Sequence, residues 1–147
     1  MDRDIPILLV EDDLLDQRAV ERAFEENKLR NPLHVVTTGE AALDYLGRSG
    51  RYEDPGAAPR PGLILLDLNL PAMSGLELLQ AYRGDPDLAA IPAVVLTTSA
   101  EQRDLVESYR LGVAGYIQKP VDFHQFVDVV RRFDLYWSLC RLPRANA

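Results

Sequence analysis

Four short stretches of this chain carry side chains that could do chemistry, and each follows an apolar run. "IPILLV" (5–10) leads into Glu11, Asp12 and Asp13. "LILLDL" (63–68) delivers Asp67, with Asn69 two residues on. "PAVVLTT" (92–98) ends in Thr97 and Thr98, with Ser99 next, and "AGYIQK" (114–119) ends in Lys119 before Pro120. A carboxylate at the end of a buried run is costly to desolvate and needs company. Clustered carboxylates repel one another until a cation joins them. Magnesium suits such a cluster, because it takes oxygen ligands, typically one or two carboxylates completed by waters and a phosphate oxygen. Lys119 would add a point charge for a phosphoryl oxygen or for Asp67 itself, and Thr97 a hydroxyl donor. Those parts fit in-line phosphoryl transfer, which is mostly positioning and charge neutralisation.

Each residue also has an ordinary reading. Acids after a strand often cap the next helix, whose N-terminus favours negative charge, and Asp12 or Asp13 could do only that. Strand-end threonines and surface lysines are common. The argument for chemistry is that one architecture brings all of them to the same edge.

That architecture follows from the periodicities. The run 5–10 reads as a strand buried on both faces, and 33–38, 63–68, 92–98 and 114–119 read as four further strands. Helical spacing separates them. Residues 13–29 place Leu15, Ala19, Ala23 and Phe24 on one stripe, and Asn31-Pro32 stops the pattern. Residues 39–46 form a short helix capped by Thr38. Ser74 and Glu77 make a capping box for a helix running to about Arg83, broken by Asp85-Pro86. Residues 101–111 form a helix that Gly112 terminates. Asp122 to Gln125 caps a last helix carrying Phe123, Phe126, Val127, Val130, Phe133 and Trp137 at helical spacing. The segment 47–62, rich in glycine and proline, reads as a loop long enough to be functional or mobile. Five strand–helix units predict an α/β fold, a parallel sheet with helices on both faces and ligands at the carboxyl ends of the strands.

Composition narrows the function. The 147 residues suit one domain, and a net charge of −7 argues against nucleic acid, since no basic footprint is visible. No apolar run approaches the roughly 20 residues of a membrane span. The N-terminus does not read as a signal peptide. The one cysteine, Cys140, fits a cytoplasmic setting.

Across roughly residues 4–133 the sequence resembles the receiver domain of bacterial response regulators, on "ILLVEDD", "LILLDLNLPAMSG", "IPAVVLTTS" and "AGYIQKP". The resemblance implies a flavodoxin-like (βα)5 sandwich of strand order 2-1-3-4-5. It implies Asp67 as phosphoacceptor, Glu11 and Asp12 as the Mg²⁺-holding acids, and Asn69 as donor of a backbone carbonyl to the metal. Thr97 and Lys119 are then the hydroxyl and lysine that meet the phosphoryl group. Tyr116 is the aromatic whose rotamer follows activation, and Asn69 and Ser99 occupy the positions that tune dephosphorylation. The protein is then a signalling receiver rather than an enzyme with an external substrate.

The long 47–62 loop, "LDLNLP", "VVLTTS" and the tail "FDLYWSLCRLP" are further similar to single-domain regulators paired with phytochrome-type histidine kinases. This implies such a sensor kinase as partner. Residues 120–147 are too few for an output domain, which needs about 50, so the reading is one receiver domain over 1–147 with a C-terminal extension at 133–147. Phe133, Tyr136, Trp137 and Leu139 exceed one core-facing stripe and mark a homodimer interface. Three other readings bear on the same residues. A haloacid-dehalogenase-type phosphatase wants an aspartate where Asn69 stands. A degenerate scaffold would have lost acceptor or metal residues, and none is lost. A phosphorelay shuttle is compatible with everything above.

Overall fold

A computed structural model describes residues 5–26 and 29–122, together with 124, 125 and 128. The helical spacing at Phe123, Phe126, Val127, Val130, Phe133 and Trp137, the interface residues Tyr136 and Leu139, and Cys140 lie outside the described residues. Five parallel strands form one sheet in the order β2-β1-β3-β4-β5. They are β1 (Ile7–Val10), β2 (Leu33–Val36), β3 (Leu63–Asp67), β4 (Ala93–Thr97) and β5 (Gly115–Gln118). Among the described residues, four helices alternate with them: α1 (Leu14–Glu26), α2 (Gly39–Gly47), α3 (Gly75–Arg83) and α4 (Ala100–Ser108). This is the expected doubly wound architecture.

The three central strands, β1, β3 and β4, are buried throughout and apolar up to the polar ends of β3 and β4, because both of their faces are covered. Side chains alternate across a strand, so Ile7, Leu9, Leu63, Leu65, Val94, Leu96 and Ile117 face one side, where Val20, Ala23 and Phe24 of α1 pack on them. Leu8, Val10, Ile64, Leu66, Ala93 and Val95 face the other side, with Ala42 and Tyr45 of α2, Leu78, Leu79 and Tyr82 of α3, and Val106 of α4. Each fully buried leucine contributes about 1.5–3 kcal/mol of transfer free energy.

Several elements are shorter than their apolar runs suggest. Pro6 cannot donate to a ladder, and β1 begins at Ile7, whose N–H donates to Pro32 O at 2.8 Å. In α1 the buried stripe is Val20, Ala23 and Phe24, whereas Leu15 is 76% exposed. At roughly 100° per residue, Leu15 sits about 140° round the helix from Val20, so the expected Leu15 stripe was misplaced. Asp13 caps α1: its Oδ1 accepts from the Leu15 N–H at 2.8 Å and the Asp16 N–H at 3.3 Å. Thr38 caps α2, and the Ser74–Glu77 capping box is present.

Gly112 does not end α4. The helix closes at Tyr109, and Arg110 takes the left-handed conformation (φ 52°) one residue later. The 47–62 segment is not a bare loop. It holds two short 3₁₀ turns, Gly50–Tyr52 and Pro55–Ala57. It is tied to α2 by Tyr45 Oη donating to Pro59 O at 2.7 Å and Arg48 Nε to Ala58 O at 3.3 Å, with Ala58 buried. Asp122 accepts the Gln125 N–H at 2.8 Å, as a cap for the last helix requires. Among the described residues, no helix is long and apolar enough to cross a membrane.

Candidate functional site

The sheet register sets the site. Val10 lies opposite Leu66, Asp67 opposite Leu96, and Thr97 opposite Gln118. The residue after each strand therefore emerges at one rim, where β1, β3, β4 and β5 stand side by side. Glu11, Asp67 and Thr97 are buried there, and Asp12 is exposed. Ligand oxygens of Glu11, Asp12 and Asp67 lie within 4.8 Å of one another.

Lys119 binds the cluster together. Its Nζ lies 2.8 Å from Glu11 Oε2, 2.9 Å from Asp16 Oδ2 and 3.0 Å from Asp67 Oδ2. Burial works against the ammonium charge, but the hydrogen bonds to Glu11, Asp16 and Asp67 outweigh it and hold Lys119 above its usual range. Glu11 goes the other way. Burial pushes its carboxyl up to about 7; the Lys119 bond and the Asp13 N–H oppose the rise, and the charge of Asp67 adds to it. Glu11 Oε1 accepts from Asp13 N–H at 3.1 Å, while Oε2 has no partner beyond the Lys119 ammonium. One lysine thus faces more carboxylates than it can neutralise. Hard, close-set oxygens, one of them fully buried and short of partners, fit a divalent cation of the magnesium type.

Backbone groups orient Asp67. Asn69 N–H donates to Asp67 Oδ1 at 3.1 Å, which leaves Oδ2 on the lysine. Gly75 allows α3 to start against this strand: an added Cβ would lie 2.2 Å from Asp67 O and 2.7 Å from Leu68 Cα. Lys119 N–H donates to Thr97 O at 2.7 Å, fixing the ends of β4 and β5 together.

The residues singled out from sequence divide as follows. Glu11, Asp12, Asp67 and Lys119 come together directly, Thr97 shares their rim, and Asn69 borders Asp67 through its backbone. Ser99 is the N-cap of α4, its Oγ accepting from Gln102 N–H at 3.2 Å. Tyr116 lies under Arg103, whose guanidinium carbon is 4.9 Å from the ring centre. Its hydroxyl is held above the usual range by burial and then by Glu107, against Arg103.

Two residues escaped sequence reasoning. Asp16 looks like an ordinary first-turn acid, and only the fold brings it to Lys119, which is remote in sequence. Gln102 completes an S-x-x-Q pattern with Ser99, a signal for a helix start that says nothing of its reach to Asn69 at 2.9 Å.

Known proteins place this arrangement. Residues 7–131 match the response regulator receiver domain. Response regulator Rcp1 of Synechocystis sp. is 40% identical over 140 residues, covering 95% of this chain and 93% of that protein. Among solved structures, the bacteriophytochrome response regulator RtBRR superposes with a TM-score of 0.85 at 44% identity, covering 97% of this chain and 85% of its own. The Mn²⁺-bound form of Rcp1 superposes with a TM-score of 0.70 at 37% identity, covering 97% of both chains.

Proposed function

This chain belongs to the response regulator receiver family, and from that premise we propose that it is a phosphorylation-switched regulator whose acceptor is Asp67. The observation that carries the reading is the buried Asp67 carboxylate, hydrogen-bonded to a backbone N–H, paired to Lys119 and clustered with Glu11 and Asp12.

In the proposed transfer an oxygen of Asp67 attacks the phosphorus of a phosphohistidine on a sensor kinase. The new O–P bond forms as the P–N bond breaks, and the imidazole leaves. Glu11, Asp12, Asp67 and the Asn69 carbonyl would hold Mg²⁺, which would supply charge neutralisation for the transferring group. Lys119 stays with the phosphoryl oxygens, and the hydroxyl of Thr97 donates to them. The product adds roughly −1.5 to −2 charges at the rim.

Movement of Thr97 toward that charge opens room on β4 for Tyr116 to turn. Shifting a two-state equilibrium from 1:99 to 99:1 needs about 5.5 kcal/mol. Two hydrogen bonds to a charged group supply about 3–6 kcal/mol. The similarity to bacteriophytochrome regulators supports a phytochrome-type histidine kinase as the donor. The tail residues Phe133, Tyr136, Trp137 and Leu139 support a homodimer.

Labelling by a phytochrome-type kinase tests the reading. Asp67→Asn abolishes phosphoryl uptake with the circular dichroism spectrum unchanged; uptake at the wild-type level in that variant refutes it.

A further inference from the structure

Gln102 spans the mouth of the site. Its Oε1 accepts from Thr98 N–H at 2.8 Å and from the Thr98 hydroxyl at 3.0 Å. Its Nε2 donates to Asn69 Oδ1 at 2.9 Å. The side chain starts from the first turn of α4, where the N–H of Gln102 is itself held by Ser99. In an ordinary capping box a residue at this position turns back to the cap's own N–H. Here it reaches past the cap to Thr98 and then across to the loop that follows Asp67.

The polarity of this bridge is determined. A backbone N–H can only donate, so Gln102 must present its oxygen to Thr98. Its NH₂ then faces Asn69, and Asn69 must present Oδ1 in return. The polar group of Asn69 left for the site is its NH₂. That group donates to a phosphoryl oxygen but cannot accept a hydrogen bond from a water molecule.

Loss of the phosphoryl group requires such a water. Its oxygen attacks phosphorus as the bond from phosphorus to the Asp67 oxygen breaks. Asp67 regains its carboxylate, the proton goes to solvent and orthophosphate leaves. An asparagine that offers Oδ1 can orient this water, whereas one that offers only NH₂ cannot. We propose that Gln102 is a positioning residue that fixes the Asn69 amide with its NH₂ toward the site and thereby lengthens the life of the acyl phosphate. This rests on the reading of Asp67 as the acceptor.

The test uses the full chain phosphorylated with acetyl phosphate and Mg²⁺. The decay of acyl phosphate is followed after removal of the donor. Gln102→Ala frees the Asn69 amide to turn, and decay accelerates roughly 3- to 10-fold, the rate equivalent of one net neutral hydrogen bond. Gln102→Leu, which keeps the volume, is measured alongside so that a folding defect in one variant does not decide the result.

Gln102→Glu keeps an acceptor for Thr98 but has no NH₂ for Asn69, so Asn69 turns its own NH₂ to the glutamate and its Oδ1 to the site. Decay in this variant is as fast as in Gln102→Ala. In an Asn69→Ala background, Gln102→Ala adds nothing. Unchanged decay in Gln102→Ala and Gln102→Leu, a wild-type lifetime in Gln102→Glu, or an undiminished effect without the Asn69 side chain each overturns the proposal. A wild-type chain that takes no label at Asp67 overturns the acceptor reading and this inference with it.

Discussion

Replacing Glu11 with glutamine should make the protein more stable in the absence of divalent metal while removing a proposed metal ligand. Glu11 is 0% exposed, and burial raises its carboxyl from 4.5 to about 7. The folded state therefore binds this proton more tightly than the unfolded chain does. The stability associated with the proton is complete below pH 4.5 and is lost as pH rises through 7. At pH 8 the ionised carboxylate costs on the order of 3 kcal/mol relative to its protonated form, at 1.36 kcal/mol per pH unit. Glutamine has the shape and neutrality of that protonated form, but one of its oxygens becomes an NH₂ near Asp13 N–H or Lys119. A net gain of about 2 kcal/mol is the expectation, or about 4–8 °C in Tm for a chain of this size. Thermal and urea unfolding in EDTA, at several pH values, measure it. The gain should be largest at pH 8 and should vanish below about pH 5. Added Mg²⁺ should stabilise the wild type and leave the variant unchanged. A variant less stable than wild type at pH 8, or a difference independent of pH, would show that the Glu11–Lys119 pair outweighs the desolvation of Glu11, and the reasoning would fail.

Mg²⁺ affinity, followed by titration calorimetry, should weaken about tenfold per pH unit below 7, because the proton on Glu11 must leave before the metal binds. A flat profile between pH 5.5 and 7 contradicts it. Gly75→Ala should cost at least about 2 kcal/mol in urea unfolding, since its Cβ would meet Asp67 O at 2.2 Å. Gly47→Ala, with nothing within 4 Å of the new carbon, should gain about 0.5 kcal/mol in the same assay. Tyr82→Phe should lose about 1–2 kcal/mol, because Tyr82 Oη donates to Ile91 O at 2.9 Å inside the core and the carbonyl would be left unpaired. Sedimentation equilibrium should show a dimer that Trp137→Ala weakens, and a wild type monomeric at high concentration refutes the proposed tail interface.

The order and type of the elements were legible because each strand is a short apolar run and each helix start carries its own polar signal, as at Thr38 and Ser74. The rim of the sheet was legible for the same reason: in a parallel sheet the carboxyl ends of all strands lie on the same side, so Asp67 and Thr97 at the ends of β3 and β4, and Glu11 and Lys119 just after β1 and β5, needed no knowledge of packing. What escaped depends on rotation and reach. Leu15 is apolar like the buried stripe, but its angle round α1 turns it to solvent. Asp16 and Gln102 touch the site through side chains from the first turns of helices, and their partners lie far away in sequence. Gly112 carried the familiar signal for a helix end, but Arg110 accepted the left-handed conformation two residues earlier. The 47–62 segment looked like an open connection because no periodicity reveals that Tyr45 and Arg48 hold its carbonyls.

The close fit of Gly75 against Asp67 has a mechanical consequence. With no side chain between them, the end of β3 and the first turn of α3 are in backbone contact, and Gly75 N–H donates to Leu68 O at 3.1 Å. That junction has almost no compliance. A load applied at the Asp67 carboxylate cannot be relieved by letting β3 yield, any more than an anvil yields to the work laid on it. The backbones of β4 and β5 are bonded to each other as well, with Lys119 N–H on Thr97 O at 2.7 Å, so the displacement falls to the side chains of Thr97, Lys119 and Tyr116.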